Sequence, residues 1–500
     1  MTVERVRVAV VGAGHAGLAV SHELTELGVE HVVLERGRVA ETWRGRWDSF
    51  CLVTPNWTVR LPGGAYAGPD PDGFMLRDEV VDFLERYADG FRAPVWEGVD
   101  VEAIEPDEDG FALATGGGPL RAGAVVVATG TYRRPHRPAA AETLPADLPQ
   151  LDVEDYLNES ALPRGGVLVV GSGQSGCQIA EELVDAGREV VLACGRAPWL
   201  PRRIGPHDLV WWLVETGFLD APAASLPGPE ARLFSNVLAT GHGGGHDLHL
   251  RVLRERGVTL AGRFLGAGDG AARFGDDLGE SVAWGDDRHR QLRDLVHGVA
   301  REQGIEVDLP EPEPFDGRGL DRLDLRRVGA VVFAAGFRPD YASWVAGAGA
   351  FDDLGFPRQV DCESTAAPGL YFLGVHFLRK RKSSLLIGVG EDAAIVARRI
   401  ADVACARAGP VTRRRPAVHD EGRLDDPRTA RRRARRAQPE PRRGVAGAGP
   451  GDGAPLPRRH RGALRAARRE RRDGSRRRAP ARGGRRRDPH RTRRVAPDRR

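Results

Sequence analysis

The sequence predicts an α/β chain with two doubly wound parallel sheets and a basic C-terminal tail outside them. Three observations carry this. A glycine-rich turn joins an apolar strand to a helix at Gly12–Gly17, a second such turn occurs at Gly171–Gly176, and the composition changes abruptly after Pro410. Two strand–turn–helix units of this kind in one chain are more specific than either alone.

In the first unit, Val8 to Val11 is a short apolar run, as in a buried parallel strand. Gly12, Gly14 and Gly17 follow in GxGxxG spacing. The first glycine makes the tight turn, the second lets a pyrophosphate approach the backbone, and the third lets helix and strand pack closely. A helix from Ala16 to Leu27, stopped by Gly28, offers its free N–H groups and positive dipole end to that anion. His31 to Leu34 forms the next strand. Glu35 stands at its tip with Arg36 beyond, where a carboxylate accepts hydrogen bonds from a ribose diol. The unit reads as a Rossmann-type dinucleotide site, and Glu35 suits an unphosphorylated adenosine ribose, as in FAD.

Next comes an aromatic segment, Thr42 to Gly63, in which Trp43, Trp47 and Trp57 cluster with Arg44, Arg46, Asp48 and Asn56. It reads as an ordered loop that shapes a ligand pocket, with Trp43 and Trp47 against the cofactor. The same aromatics would also serve as plain core beneath a loop. Asp78 to Tyr87 has helical spacing, and Val95 to Gly130 reads as short antiparallel strands. That stretch ends in AVVVATG, an apolar strand entering the turn at Gly130, where the chain is expected to rejoin the first sheet. Pro135 to Pro163 reads as a linker.

The second unit runs from Gly166, with Gly171, Gly173, Gln174, Ser175 and Gly176 forming its loop. A helix from Ser175 to Ala186 and a strand from Glu189 to Ala193 follow. No acid stands at the strand tip. Cys194, Gly195 and Arg196 occupy it, with Arg202 and Arg203 close behind. An arginine there suits a 2′-phosphate, which favours NADPH over NADH, although Arg196 could also be a solvated surface charge.

Between Trp199 and Gly319 the pattern is weaker. Asp208 to Thr216 and Gln291 to Gln303 read as helices. His242, His246 and His249 lie in Gly-rich sequence without a cysteine partner, so a loop at the entrance is expected rather than a metal site. Val331 to Tyr341 (turn at Gly336) and Gly369 to Val375 (turn at Gly374) repeat the strand-to-glycine theme. Gly388 to Ile400 reads as a helix with acids in its first turn and arginines in its last, its start aimed at an electron-rich ring edge such as a flavin carbonyl. Arg379 to Lys382 holds both lysines of the chain and reads as a solvated loop or a contact to nucleotide phosphates.

Length allows two or three domains. The five cysteines, Cys51, Cys177, Cys194, Cys362 and Cys405, form no CxxC pair, which argues against a disulfide framework, a zinc site and a redox dithiol. No apolar run approaches membrane-spanning length, and the N-terminus enters a strand without a cleavage-type signal, so a cytoplasmic protein is expected. The net charge of +4 hides an asymmetry. Val411 to Arg500 carries 32 arginines and 10 acidic residues, a net +22, which leaves the remainder at −18. The tail is too poor in apolar residues to fold. It reads either as a disordered basic arm for nucleic acid or anionic surfaces, without aromatics to stack on bases, or as GC-rich DNA translated out of frame, which is the favoured reading. Nucleic acid is not an expected partner unless the tail is genuine.

With both loops, Arg196, AAGFRPDY and the aromatic segment in order, residues 5–405 resemble the flavin-containing monooxygenases. The similarity is greatest to bacterial FAD- and NADPH-dependent flavoprotein monooxygenase-like oxidoreductases. The resemblance implies that NADPH reduces FAD, that O2 adds at flavin C4a to give a hydroperoxide, and that a small organic substrate takes one oxygen atom. It also implies that Asn56, in TPNW, stands near the flavin in a catalytic role; a turn role is the alternative. The chain departs from the family's FxGxxxHxxxY fingerprint. Tyr156 is present, but Asp152 stands at the histidine position, Ala146 and Leu148 at the Phe and Gly positions, and Ala335 replaces the Thr of the usual ATG. An FAD-dependent NADPH oxidoreductase or oxidase without oxygen transfer therefore stays open, as does a non-enzymatic nucleotide-bound protein.

The expected organisation is a first FAD part at 1–150, an inserted NADPH domain at 151–324, a second FAD part at 325–409, and the tail at 410–500. The substrate pocket would lie between the domains, over the flavin, and a homodimer is compatible with this reading.

Overall fold

The structure is a computed structural model that describes residues 3–408 apart from 235 and 348, with side chains up to 403. The expected disordered tail at 410–500 lies outside the described residues.

The first sheet is built around Glu4–Val11. Leu120–Val127 flanks it on one side and Val32–Glu35 on the other, both parallel, with Val10 opposite Val33 and Val126. Val95–Glu97 extends the sheet beyond Val32–Glu35, and Leu370–Phe372 extends it beyond Leu120–Val127, again in parallel. Val8, Ala9 and Val10 are fully buried, with side chains packed on both faces of the sheet, which is why the run has no polar alternation. His15–Glu26 and Val389–Ala408 are two of the covering helices. The chain thus rejoins this sheet at the strand before Gly130, as its sequence predicts. The expectation of antiparallel strands throughout Val95–Gly130 needs correction at its start. Val95–Glu97 is parallel, and the antiparallel pairing is confined to Val101–Asp107, Gly110–Thr115 and Leu120–Val127.

The second sheet runs Gln150–Asp152, Val328–Phe333, Gly166–Val170, Val190–Ala193, Thr259–Ala261, all parallel. Two expectations fail here. The stretch Pro135–Pro163 is no mere linker, since Gln150–Asp152 is the edge strand of this sheet. The boundary at 325 also moves, because Val328–Phe333 pairs with Gly166–Val170 rather than returning to the first sheet. An all-apolar strand ending in glycine fits the centre of either sheet, so composition could not assign it. The chain crosses between sheets twice, and Arg134–Pro135 and Phe337–Arg338 pair antiparallel as a short crossover ribbon.

The helix expected at Gln291–Gln303 begins at Leu278. Its first half is polar by sequence yet packed. Gly285 lets it close on the Ala197 carbonyl, and buried Asp286 takes both Arg251 nitrogens at 2.9 and 2.8 Å.

Candidate cofactor site

One cavity of about 1370 Å³ is lined by the C-terminal strand ends of both sheets and by both glycine loops. A single-ligand pocket holds roughly 300–1,000 Å³, so this cleft has room for more than one.

The two loops share one backbone solution. Gly12 has φ +103° and Gly171 φ +112°, a region open to glycine. Gly12 N–H donates to the Leu34 carbonyl at 2.8 Å, and Gly171 N–H to the Ala193 carbonyl at 3.0 Å. A Cβ on Gly17 would run into the Gly12 carbonyl oxygen, and one on Gly176 into that of Gly171. These third glycines pack helix on strand and do not line the cavity, whereas Gly14, Gly173 and Ser175 do.

The strand tips differ. Ala13 N–H donates to Glu35 Oε2 at 2.8 Å and Gly37 N–H to Oε1 at 3.0 Å, which fixes the carboxylate beside the loop with acceptor capacity left for a diol. Arg36 lines the cavity next to it. In the second unit Gly195 N–H donates to Ser172 Oγ at 2.9 Å, and Arg196 lies exposed along the cavity with no ion pair among the described residues. Arg263, which sequence reasoning missed, lines the same end and is 74% exposed despite its pairing with Asp277.

Other expected residues divide. Gly130, Gly336 and Gly374 line the cavity, as do Trp43 and Trp47, whose rings stand edge-on to Phe50 at 6.0 and 5.1 Å. Gln174 lines it too, but its amide is committed to the backbone of Ala239, accepting from that N–H at 3.1 Å and donating to that carbonyl. Gly388 does not line it. A Cβ there would meet Lys382, and Ser384 to Ile387 form the wall instead.

Asn56 is the main correction. It is 5% exposed and absent from the cavity wall. Its Nδ2 donates to the Asp70 carbonyl at 3.0 Å, and its Oδ1 accepts from Met75 N–H at 2.7 Å. The amide closes the loop, which is the turn role, not the catalytic one.

The cavity contains histidines that sequence reasoning passed over. His15 sits within the first glycine loop and donates through Nε2 to the Ser384 carbonyl at 3.1 Å. Ser384 Oγ lies 3.5 Å from His376 Nδ1. Burial pushes both imidazoles down, that of His376 to about 4, so both are neutral near pH 7. His15 could be noticed as a variable position of the motif, but nothing in the sequence marks its pairing with Ser384.

The remaining charged features lie elsewhere. Asp152 forms a two-pronged ion pair with Arg137 at 2.8 and 2.9 Å, outside the cavity. Tyr156 is fully buried and donates to Glu182. Lys380 and Lys382 pair with Asp220 and Glu391, Arg379 with Asp392, and Arg381 lies between the rings of Phe218 and Phe377. This stretch is an internal clamp rather than a solvated loop or a phosphate contact. His246 meets Glu181 at 2.6 Å and His249 tilts onto Trp199 at 4.2 Å. Among the described residues no three His, Cys, Asp or Glu side chains converge as metal ligands. Nor is any described helix long and apolar enough to cross a membrane.

The residues fit a flavin dinucleotide at the first loop. The Gly14 side is open, Glu35 keeps acceptor capacity for a diol, and the Thr129 hydroxyl at the end of the neighbouring strand is buried without a hydrogen-bond partner among the described residues.

Residues 9–210 match the family model described as pyridine nucleotide-disulphide oxidoreductase. The chain is 31% identical over 393 residues to the uncharacterized oxidoreductase CzcO-like of Geobacillus kaustophilus, covering 78% of this chain and 96% of that protein. The chain belongs to the CzcO-like oxidoreductases. A flavin-containing monooxygenase from Stenotrophomonas maltophilia shares the fold, with a TM-score of 0.57, 19% identity, and 80% of this chain and 100% of that chain covered. Indole-3-pyruvate monooxygenase YUCCA4 of rice is 28% identical over 259 residues, 44% of this chain and 59% of that protein. CzcO-like membership makes the protein an oxidoreductase, and the family model it matches is one of pyridine-nucleotide enzymes.

Proposed function

We propose that this oxidoreductase is an FAD-dependent, NADPH-consuming monooxygenase that delivers one atom of O2 to a small organic substrate. The observation that carries the reading is the asymmetry of the two loops across one cavity. Glu35 would accept from the ribose diol of FAD, and Arg196, which has no ion pair among the described residues, would take the 2′-phosphate of NADPH. Bound there, the flavin supplies hydride acceptance from NADPH and activation of O2. The protein's part is position and dryness. Backbone N–H groups of the glycine loops would hold the pyrophosphates. Trp43, Trp47 and Phe50 wall the space between the sheets from water. His15 and His376 are neutral, hydrogen-bonding groups on the same wall.

Leu52, Val53, Phe234 and Leu386 give the cavity an apolar side, which suits an uncharged or aromatic substrate body. The four cysteines Cys51, Cys177, Cys194 and Cys362 are free and buried, which suits the reducing cytoplasm. Two observations favour a second reading, an NADPH oxidase or reductase without oxygen transfer. Asn56 is turned away from the cavity, and Asp152 is spent on Arg137.

Stopped-flow reoxidation separates the two. The FAD-loaded protein is reduced with NADPH and mixed with O2 while the oxidised-flavin band and H2O2 are followed. A monooxygenase shows a lag before the band returns, with peroxide appearing only as it does. Immediate return with peroxide equal to the NADPH used would assign the oxidase.

A further inference from the structure

Cations in this protein usually find acids. Arg137 closes on Asp152, Arg251 on Asp286, and Arg379 on Asp392. The crossover ribbon is different. Arg134 and Arg338 stand directly opposite each other in its antiparallel register. Arg133 lies with its guanidinium carbon 5.2 Å from the centre of the Trp344 ring. Among the described residues none of these three arginines has a carboxylate partner, and Arg338 donates only to the carbonyl of its neighbour Phe337, at 3.0 Å. Burial and the like charge of Arg134 hold the Arg338 guanidinium below its ordinary range. His136 is pushed down by burial and then by Arg338 and Arg134. Glu154, a carboxylate on the cavity wall, is acted on by Arg46 and Arg36.

Like charges opposite each other weaken a ribbon, and a half-buried unpaired guanidinium is costly. Folding alone gives no reason for either in a body that carries net negative charge. The same place holds a second mismatch. Thr131 is 5% exposed, lines the cavity, and its hydroxyl has no hydrogen-bond partner among the described residues. Arg133, His136 and Arg338 line the same cavity, whereas Arg134 does not.

We propose that the ribbon is an oxyanion seat, in which Arg338 and Arg133, with Thr131 and His136, take a phosphate or carboxylate of a ligand lying between the two sheets. The guanidinium fork matches the two oxygens of such a group, and the threonine hydroxyl donates to a third contact. The seat is distinct from the expected 2′-phosphate site. Arg196 follows Val190–Ala193, whereas Arg338 follows Val328–Phe333, on the opposite side of Gly166–Val170. The inference rests on the proposed function in one respect, that a nicotinamide nucleotide and a substrate meet in this cavity. The oxyanion is then the nicotinamide-side phosphate or a carboxylate of the substrate.

The test titrates the full FAD-loaded chain with NADP+, with 2′,5′-ADP (which lacks the nicotinamide half) and with phenylpyruvate as a simple aromatic carboxylate. Wild type is compared with Arg338→Met and Arg133→Met. Loss of about tenfold in NADP+ affinity with 2′,5′-ADP unchanged assigns the seat to the nicotinamide-side phosphate. A similar loss confined to phenylpyruvate assigns it to a substrate carboxylate. Unchanged affinity for all three probes in both variants overturns the proposal. Arg134→Ala is expected to raise the melting temperature of the unliganded protein and to change probe affinity less than about twofold, since only repulsion is removed. If Arg338→Met does not fold, Arg133→Met carries the same decision. Binding needs no turnover, so peroxide release in the O2 experiment would leave this result standing, and unchanged probe affinity would leave the oxygen chemistry standing.

Discussion

The Gly12–Gly17 and Gly171–Gly176 loops are nearly the same object used twice. Their first glycines differ by a few degrees in φ, their third glycines press on the equivalent carbonyl, and each is followed by a helix of 12 residues. What separates them is one side chain at the tip of the next strand, Glu35 in one and Arg196 in the other. Backbone geometry makes a pyrophosphate cradle, and the charge at the strand tip chooses which nucleotide enters it.

The comparison breaks most visibly at the packing glycines. Gly17→Ala forces a methyl group into the Gly12 carbonyl, a strain of about 3 kcal/mol, and the expected outcome is protein purified without flavin. Gly176→Ala imposes the same strain on the other loop and should instead give yellow protein that NADPH cannot reduce. Flavin content and anaerobic bleaching read the two apart. Flavin loss from Gly176→Ala with retention in Gly17→Ala would reverse the assignment.

Acid should weaken both halves. His376 at the first loop, and His249 and His289 in the second unit, are held at about 4 against an ordinary 6.5, chiefly by burial. The folded state prefers the neutral rings, so the unfolded chain takes up protons first. Stability is full above pH 6.5 and is lost as the pH falls towards 4, by up to about 3 kcal/mol for each ring. Urea midpoints measured across that window should fall, and less steeply in His376→Asn. A flat profile would contradict the burial of these rings.

Glu35→Gln keeps the shape but weakens acceptance from Ala13 N–H and from the ribose. A rise in the FAD dissociation constant of about tenfold is expected by fluorescence titration, with NADP+ affinity unchanged. The smallest effect is expected at the family's missing histidine. Asp152→His removes a partly exposed ion pair outside the cavity, and flavin reduction should change by less than about twofold. A large gain in coupled oxygen transfer would mean that Asp152 does more than pair with Arg137.

The parts of this architecture that are local in sequence were legible from it. Strand, glycine turn, helix and strand-tip residue lie within about thirty positions, as in any βαβ unit, and steric need dictates the glycines. The parts that depend on distant pairing were not. Val328–Phe333 is apolar on both faces and fits either sheet by composition. Asn56 was placed by motif near the flavin, but the backbone of Asp70 and Met75 claims its amide. His15 and Ser384 meet across the whole length of the body. Lys380 and Lys382 read as free cations until Asp220 and Glu391 are brought beside them.

The central claim, that the strand-tip charge selects the nucleotide, is tested most directly by anaerobic flavin reduction with NADPH and with NADH in wild type and Arg196→Ala. The account predicts that wild type prefers NADPH, and that Arg196→Ala loses about 10- to 100-fold of NADPH affinity while NADH is unaffected. Equal use of both nucleotides by wild type, or an equal loss for both in the variant, would contradict it.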